Sequence, residues 1–269
     1  MFGPYWQYHL PLWIVMLLFL ILLLIPMEVG FRLGTRQKIM HPDLRRGARR
    51  DVALASIMAL LGLMLAFTYS FSLSRADLRK AEVIKEVNAI STAFLRADLL
   101  PEPGRSEVRE LLFDYAKSRY VEPGAIKTLS ELERAVNQSV EIQSKIWPAV
   151  KSALRQKGDM SDPEKALLVS AVNNVFDSHT SKLAVIYDRL PTVVLALLVF
   201  IAAASLGLAS YNSELMGSFS RWRMSAFALI LACLMYIILD YDMMMRGFIQ
   251  VDQRSLVLLI DQMKTALRH

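Results

Sequence analysis

The chain has a single cysteine, Cys233. It therefore cannot close an internal disulfide, and it has no cysteine-based metal site. Four histidines, His9, His41, His179 and His269, are scattered along the sequence. A lone histidine beside an aspartate is too little for zinc, which normally takes three or more protein ligands. Gly-x-Gly-x-x-Gly, Walker, His-Glu-x-x-His and Gly-x-Ser-x-Gly patterns are all missing. No nucleotide cradle, zinc hydrolase or serine nucleophile announces itself, so no catalytic residue, metal or cofactor is expected and the chain does not read as an enzyme. Between residues 74 and 190 there is no Asn-Gly turn and no strand-like alternation, which argues against hairpins there.

The most telling absence is of charge. Residues 10–27, 52–73, 191–210 and 224–239 contain no Lys, Arg, Asp or Glu. A helix rises ~1.5 Å per residue and a hydrocarbon core is ~30 Å thick, so the first three runs are long enough to cross it. The fourth reaches bilayer length by continuing through Asp240 and Asp242, which sets the spans at 10–27, 52–73, 191–210 and 224–243. The expected fold class is all-α: a polytopic membrane protein of four transmembrane helices. A first membrane hairpin occupies 1–73 and a second 191–245. A helical extramembrane domain at 74–190 is inserted between the second and third spans, and a C-terminal tail follows at 246–269. The N-terminal segment lacks the basic residues and small-residue cleavage site of a signal peptide. Tyr5, Trp6, Tyr8 and Trp13 instead read as an interfacial aromatic belt beside a permanent anchor.

The formal charge of +6 does not point to nucleic acid, because the excess is local. Residues 28–50 carry Arg32, Arg36, Lys38, Arg45, Arg46, Arg49 and Arg50 against Glu28 and Asp43, and the other short loop adds Arg221 and Arg223. Such loops attract anionic headgroups, and the positive-inside rule places them in the cytoplasm. The N-terminus, the helical domain and the C-terminus are then extracytoplasmic. Arg75, Arg79, Lys80 and Lys85, just past the second span, weigh the other way.

Helical punctuation fills the middle region. The second span has no breaker at its end. Val83, Val87, Ile90, Phe94 and Ala97 recur at spacings of three and four, so one helix is predicted from Asp51 to Leu100, stopped by Pro101-Glu102-Pro103-Gly104. A second helix is predicted from an N-cap at Ser106 to Glu122-Pro123-Gly124, and a third over 130–156, with a kink before Pro148 and Gly158 at its close. Ser161-Asp162-Pro163-Glu164 is a capping-box start for a fourth helix, which runs to Leu190.

Several constellations admit two readings. Gly62, Ala66, Ser70 and Ser74 are four apart. They serve close packing within the subunit, an oligomer contact or a smooth pore wall. Phe67 and Phe71 are lipid-facing or core aromatics, or an apolar constriction that gates a pore by dewetting. Asn173, Asp177 and His179, with Asn174 nearby, could meet Asn88, Arg96 and Asp98. Together they would form a self-satisfying polar seam, a cation or water site, or the site of a membrane enzyme. Asp240 and Asp242 sit at the end of the fourth span, where Asp242 pairs with Arg246 at i,i+4 or marks function.

Three stretches resemble the bestrophin-like bacterial membrane proteins, a family of largely unknown function. They are LGLMLAFTYSFSLSRADLRKAEVIKEVNAISTAFLRADLLPEP (61–103), LVSAVNNVFDSHTSKLAVIYDRLP (168–191) and IILDYDMMMRGFIQVD (237–252). True bestrophins are pentameric anion channels lined by their second membrane helix. The resemblance therefore implies a homo-oligomer in the bacterial inner membrane that passes small ions, anions in particular. Arg75 and Arg79 would draw them to one mouth of the pore. Val52–Leu73 would be the pore helix, with Phe67 and Phe71 near the constriction beside Ser70 and Ser74. The resemblance also implies a cytosolic central domain and cytosolic termini, opposite to the charge count. No acidic calcium clasp is recognisable, and Met243-Met244-Met245 replaces a more polar, proline-containing stretch. The alternative is a non-transporting scaffold or sensor whose helical domain binds a partner or ligand.

Overall fold

The computed structural model describes residues 12–40, 52–122, 124–126, 128–156, 160–242 and 252–268. The aromatic residues at 5, 6 and 8, the loop arginines from Arg45 to Arg50, Pro123, Gly158 and Arg246 lie outside them. The described residues form eight helices: α1 (Leu12–Met40), α2 (Val52–Ala97), α3 (Gly104–Arg119), α4 (Leu129–Ala153), α5 (Asp162–Tyr187), α6 (Thr192–Leu215), α7 (Arg221–Asp242) and α8 (Arg254–Ala266). Among the described residues, four helical stretches are long and apolar enough to cross a membrane. They comprise α1, α2, α7 and the stretch that contains α6. The protein is an all-α, polytopic membrane protein with a helical insertion between the second and third spans. The chain divides into two compact units, one of residues 1–74 and 189–242, the other of 75–188 and 243–269.

In the first unit, α1, α6 and α7 pack around Leu23, Leu198, Leu206, Met235 and Ile238, all buried. The α1–α6 contact is close because glycine lines it. A Cβ on Gly30 would run into the backbone carbonyl of Gly207, and one on Gly34 would meet the Tyr211 carbonyl oxygen at 2.9 Å. Small residues let helices in lipid approach to backbone contact, where dispersion is strongest. Lys38 fixes the far end of the contact, donating to the Glu214 carboxylate at 3.0 Å and to its carbonyl at 3.2 Å.

In the second unit the predicted stripe of α2 is the core. Val83, Val87, Ile90, Phe94 and Ala97 are all buried. All but Val83 pack among Leu112 and Tyr115 of α3, Ile146 and Val150 of α4, Leu168 and Val172 of α5, and Leu256, Leu259 and Met263 of α8. Val83 joins a smaller cluster with Ile126, Leu132 and Ile186. The end of α2 tightens into i→i+3 bonds, Leu100 N–H to the Ala97 carbonyl at 3.1 Å being the last, just before Pro101. α3 begins two residues earlier than predicted. Ser106 does not cap it; instead the Glu102 carboxylate accepts from the Ser106 N–H at 3.3 Å and from its hydroxyl at 2.9 Å. α4 starts on a capping box missed in the sequence, with Thr128 and Glu131 bonded reciprocally. Pro148 lies inside that helix. The capping box of α5 forms as predicted, the Glu164 carboxylate accepting from the Ser161 N–H at 2.7 Å. The segment read as a tail contains α8, whose approach is held by Gln253. Its side-chain amide accepts from the Val121 N–H at 3.1 Å and donates to the Val121 carbonyl at 2.8 Å.

Gly30 and Gly62 make a matched test of the glycine contact, because a Cβ on Gly62 meets nothing within 4 Å. Gly30→Ala is expected to lower the unfolding midpoint in detergent by the equivalent of ~1–3 kcal/mol, the usual cost of overpacking. Gly62→Ala should leave it within experimental scatter.

Candidate functional site

Two places concentrate chemistry, one in each unit. The first is the outer face of α2 in the membrane unit. Leu61, Leu65, Thr68 and Ser72 are buried on the inner face of this helix, and the outer face is left open. Phe67 is 67% and Phe71 51% exposed. Gly62, Ala66, Ser70 and Ser74 are exposed too, so the small residues on this helix do not serve packing within the subunit. Phe67, Phe71, Ser70 and Ser74 line an open apolar groove of about 750 Å³ together with Met64, Thr68, Leu190, Pro191 and Val194.

The chain enters α6 beside this groove under tight constraint. The Asp242 carboxylate, fully buried, accepts from the Leu190 N–H at 3.0 Å. Its backbone carbonyl accepts from the Arg189 guanidinium at 2.6 Å. The two acids at the end of the fourth span are thus both buried, and Asp242 caps the turn into α6 from within the same unit.

The second place is a polar core in the helical unit. Glu86 of α2 is 1% exposed. One carboxylate oxygen accepts from Arg119 of α3 at 2.6 Å, the other from Lys182 of α5 at 2.6 Å. Arg119 also donates to the Ser139 hydroxyl of α4 at 3.0 Å. Tyr115 donates to Glu86 at 3.3 Å, and its hydroxyl lies 3.0 Å from His179 Nδ1. Burial alone pushes the Glu86 carboxyl up, but Lys182 and then Arg119 outweigh it and hold the group below its ordinary value. Burial lowers the Lys182 ammonium, with Glu86 opposing and Arg119 adding to the fall. Burial and then Arg119 depress the His179 imidazole to about 4, against the pull of Glu86, so the ring is neutral at pH 7. Burial, and after it the Glu86 charge, raises the Tyr115 phenol. The cluster is two cations on one anion, completed by neutral donors and acceptors.

Of the polar residues expected to converge, the structure brings in only His179. Asn88, Asn173, Asn174, Asp177 and Asp98 lie outside the buried core, and Asp98 pairs with Arg109 at 3.0 Å. Arg96 donates to the Leu167 carbonyl at 2.6 Å. An enzyme site built on Asn173, Asp177 and His179 needs those side chains in one cleft, and they are not. No group of three or more metal-ligating side chains occurs among the described residues. Arg79 is buried and donates to the Val185 and Asp188 carbonyls at 3.2 and 2.9 Å, while Arg75 donates to the Asp188 carboxylate at 2.9 Å. Both arginines therefore tie α2 to the end of α5.

Sequence reasoning missed Glu86, Arg119 and Lys182, although a signal was present. Each charge falls in register with its helix's apolar stripe: Glu86 between Val83 and Ile90, Arg119 after Leu112 and Tyr115, Lys182 between Val175 and Ile186. A charge on a core stripe needs a partner from another element.

A family model described as a bestrophin-like domain matches residues 42–256. Among solved structures, a bacterial bestrophin homologue from Klebsiella pneumoniae in a point-mutant form aligns with TM-score 0.63 and 13% identity, over 95% of this chain and 97% of that one. The same homologue phased on zinc gives TM-score 0.61 and 11% identity over 91% and 96%. A structure described only as a membrane protein variant gives TM-score 0.63 and 13% identity over 95% and 97%. At such identities the likeness is one of fold. No curated protein matches the sequence.

The polar core predicts a pH response with two windows. The neutral ring of His179 stabilises the fold fully above about pH 6.5, its ordinary value, and that contribution is lost as pH falls toward 4, because the unfolded chain takes up the proton first. The contribution of Glu86 is lost only below its ordinary 4.5. The unfolding midpoint in detergent should fall between pH 6.5 and 4.5, and His179→Gln should flatten that slope. Removing one partner of a buried pair costs ~3–5 kcal/mol, so Glu86→Ala should destabilise strongly at pH 7. Glu86→Leu combined with Arg119→Leu and Lys182→Met should recover much of the loss.

Proposed function

The chain belongs to the bestrophin-like family, and from that premise we propose that it assembles as a homo-oligomeric channel passing small ions, anions in particular, along α2. The observation that carries this reading is the uncovered face of α2. Phe67 and Phe71 are two large aromatic side chains left open beside Ser70 and Ser74 within one membrane unit. Copies arranged with this face inward would place a ring of Phe67 and a ring of Phe71 around a common axis. Apolar rings of that kind hold a pore shut by expelling water, and hydroxyls beside them supply hydration where it is open. The mechanism is passive permeation with apolar gating. Arg75 and Arg79 lie just past the aromatic rings in sequence and give that end of the path a positive field, although their side chains are anchored on the end of α5 and the residue after it.

In the second reading the protein is a scaffold or sensor that transports nothing. A hollow of about 570 Å³ on the helical unit favours it, lined by polar and charged side chains that include Asp114, Lys117, Glu131 and Gln138. Purified protein reconstituted in liposomes separates the two readings. The channel reading expects anion flux from the wild type and a several-fold rise in Phe67→Ala. No flux from either protein, both shown to be folded and inserted, would discard the channel in favour of the scaffold.

For the orientation we adopt the charge count, with the two short basic loops in the cytoplasm of a bacterial inner membrane. In a Cys233→Ser background, Ser218→Cys in the second short loop should resist a membrane-impermeant maleimide in intact cells. Asp162→Cys at the start of α5 should react. The reverse labelling pattern would turn the protein over.

A further inference from the structure

α1 is longer than the hydrocarbon core of a bilayer is thick. Its 29 residues span ~44 Å at ~1.5 Å each, against a hydrocarbon core of ~30 Å. Its last turns therefore emerge at one membrane surface, and they carry Arg32, Arg36 and Lys38. The first turn of α7, Arg221-Trp222-Arg223, comes to the same place. The Arg221 guanidinium lies 4.6 Å over the Phe31 ring, and that ring stacks on Phe219 at 4.5 Å. Arg32 and Arg221 share one acid, Glu28, at 2.9 and 3.8 Å. Arg223 donates to the Ser218 carbonyl at 2.7 Å, and Lys38 is spent on Glu214.

Among the described residues, Arg32, Arg36, Lys38, Arg221 and Arg223 thus stand against Glu28 and Glu214 at this end of the unit. The Arg32 and Arg221 side chains are 77% and 63% exposed. A guanidinium has five N–H donors, and Glu28 occupies few of them. Trp222 is 77% exposed beside the pair, as expected for a side chain seated at the headgroup level. Val29 and Leu33, exposed on α1 next to Arg32, extend the patch into apolar surface. A patch that is cationic at one edge and apolar at the other is complementary to an amphiphile, and less so to a soluble anion.

We propose that the end of α1 and the start of α7 form a binding site for anionic phospholipid. In this site Arg32, Arg221 and Arg223 hold the headgroup phosphate, Glu28 orients the first two arginines, and Trp222 sets the depth.

The test is native mass spectrometry of the delipidated full chain in detergent, with phosphatidylglycerol and phosphatidylcholine of identical chains at matched concentration. The wild type should retain phosphatidylglycerol at least ~fivefold better, and each arginine removed in R221Q and R223Q should cost about fivefold, the worth of one basic residue at a charged membrane surface. R221K with R223K should keep most of the preference, and Lys151→Gln with Lys165→Gln on the helical unit should keep all of it. The variants' unfolding midpoints check that they are folded, with Arg32→Gln in reserve should one fail. Equal retention of both lipids, or an unchanged preference in R221Q/R223Q, would overturn the proposal. Displacement of phosphatidylglycerol by soluble glycerol phosphate would also overturn it, by making the patch a free-anion site.

Discussion

One buried carboxylate organises the helical unit. Glu86 belongs to α2, and it takes its ion pairs from α3 and α5 while Arg119 reaches on to α4. Four helices are therefore referred to a single point. Hydrophobic burial holds such helices together but lets them slide and rotate with little change in area. An ion pair at 2.6 Å does not. The surrounding groups follow from the same charge. Burial first, and then the excess of two cations over one anion, make a positive charge on His179 unfavourable, so its ring stays neutral and serves Tyr115 instead. Apolar residues of similar volume often match a buried ion pair in stability, so the polar core is better understood as fixing which helix faces which.

The membrane unit achieves its fixity by other means. There the close approach at Gly30, Gly34 and Gly207 locks α1 to α6 through backbone contact. α2 is treated differently, since its aromatic side chains are left uncovered. Lipid can solvate them at no great cost, so exposure alone does not demand a partner. What gives the face meaning is its composition, with Phe67 and Phe71 beside small hydroxyl-bearing residues. The pore proposed along this helix draws on that composition and on membership of the family.

Much of this architecture was legible in the sequence because it rests on patterns within single helices. The four uncharged runs, the stripe from Val83 to Ala97 and the capping box at Ser161 each depend on residues a few positions apart. The polar core was not legible, because its partners lie 33 and 96 residues apart. Periodicity could flag Glu86 as a charge out of place, but not name Lys182 as its counter-ion. Asn173 and Asp177 drew attention through their chemistry alone, and they lie off the buried stripe of α5. Arg75 and Arg79 read as charges at a pore mouth because the groups they bond lie far away in the sequence. Their partners are carbonyl groups and an acid more than a hundred residues away.

The placement of α8 bears on how the protein is made. Leu256, Leu259 and Met263 complete the core begun by α2, α3, α4 and α5. The ribosome delivers them only after both later membrane helices have been synthesised. Until then the helical unit waits with an apolar cleft open, a state that invites aggregation or chaperone capture. Closure of that cleft is thus a late event in biogenesis, and it reports that the second hairpin has been made. A chain truncated before α8 would present a quality-control system with exposed hydrophobic surface outside the membrane, whatever the state of its spans.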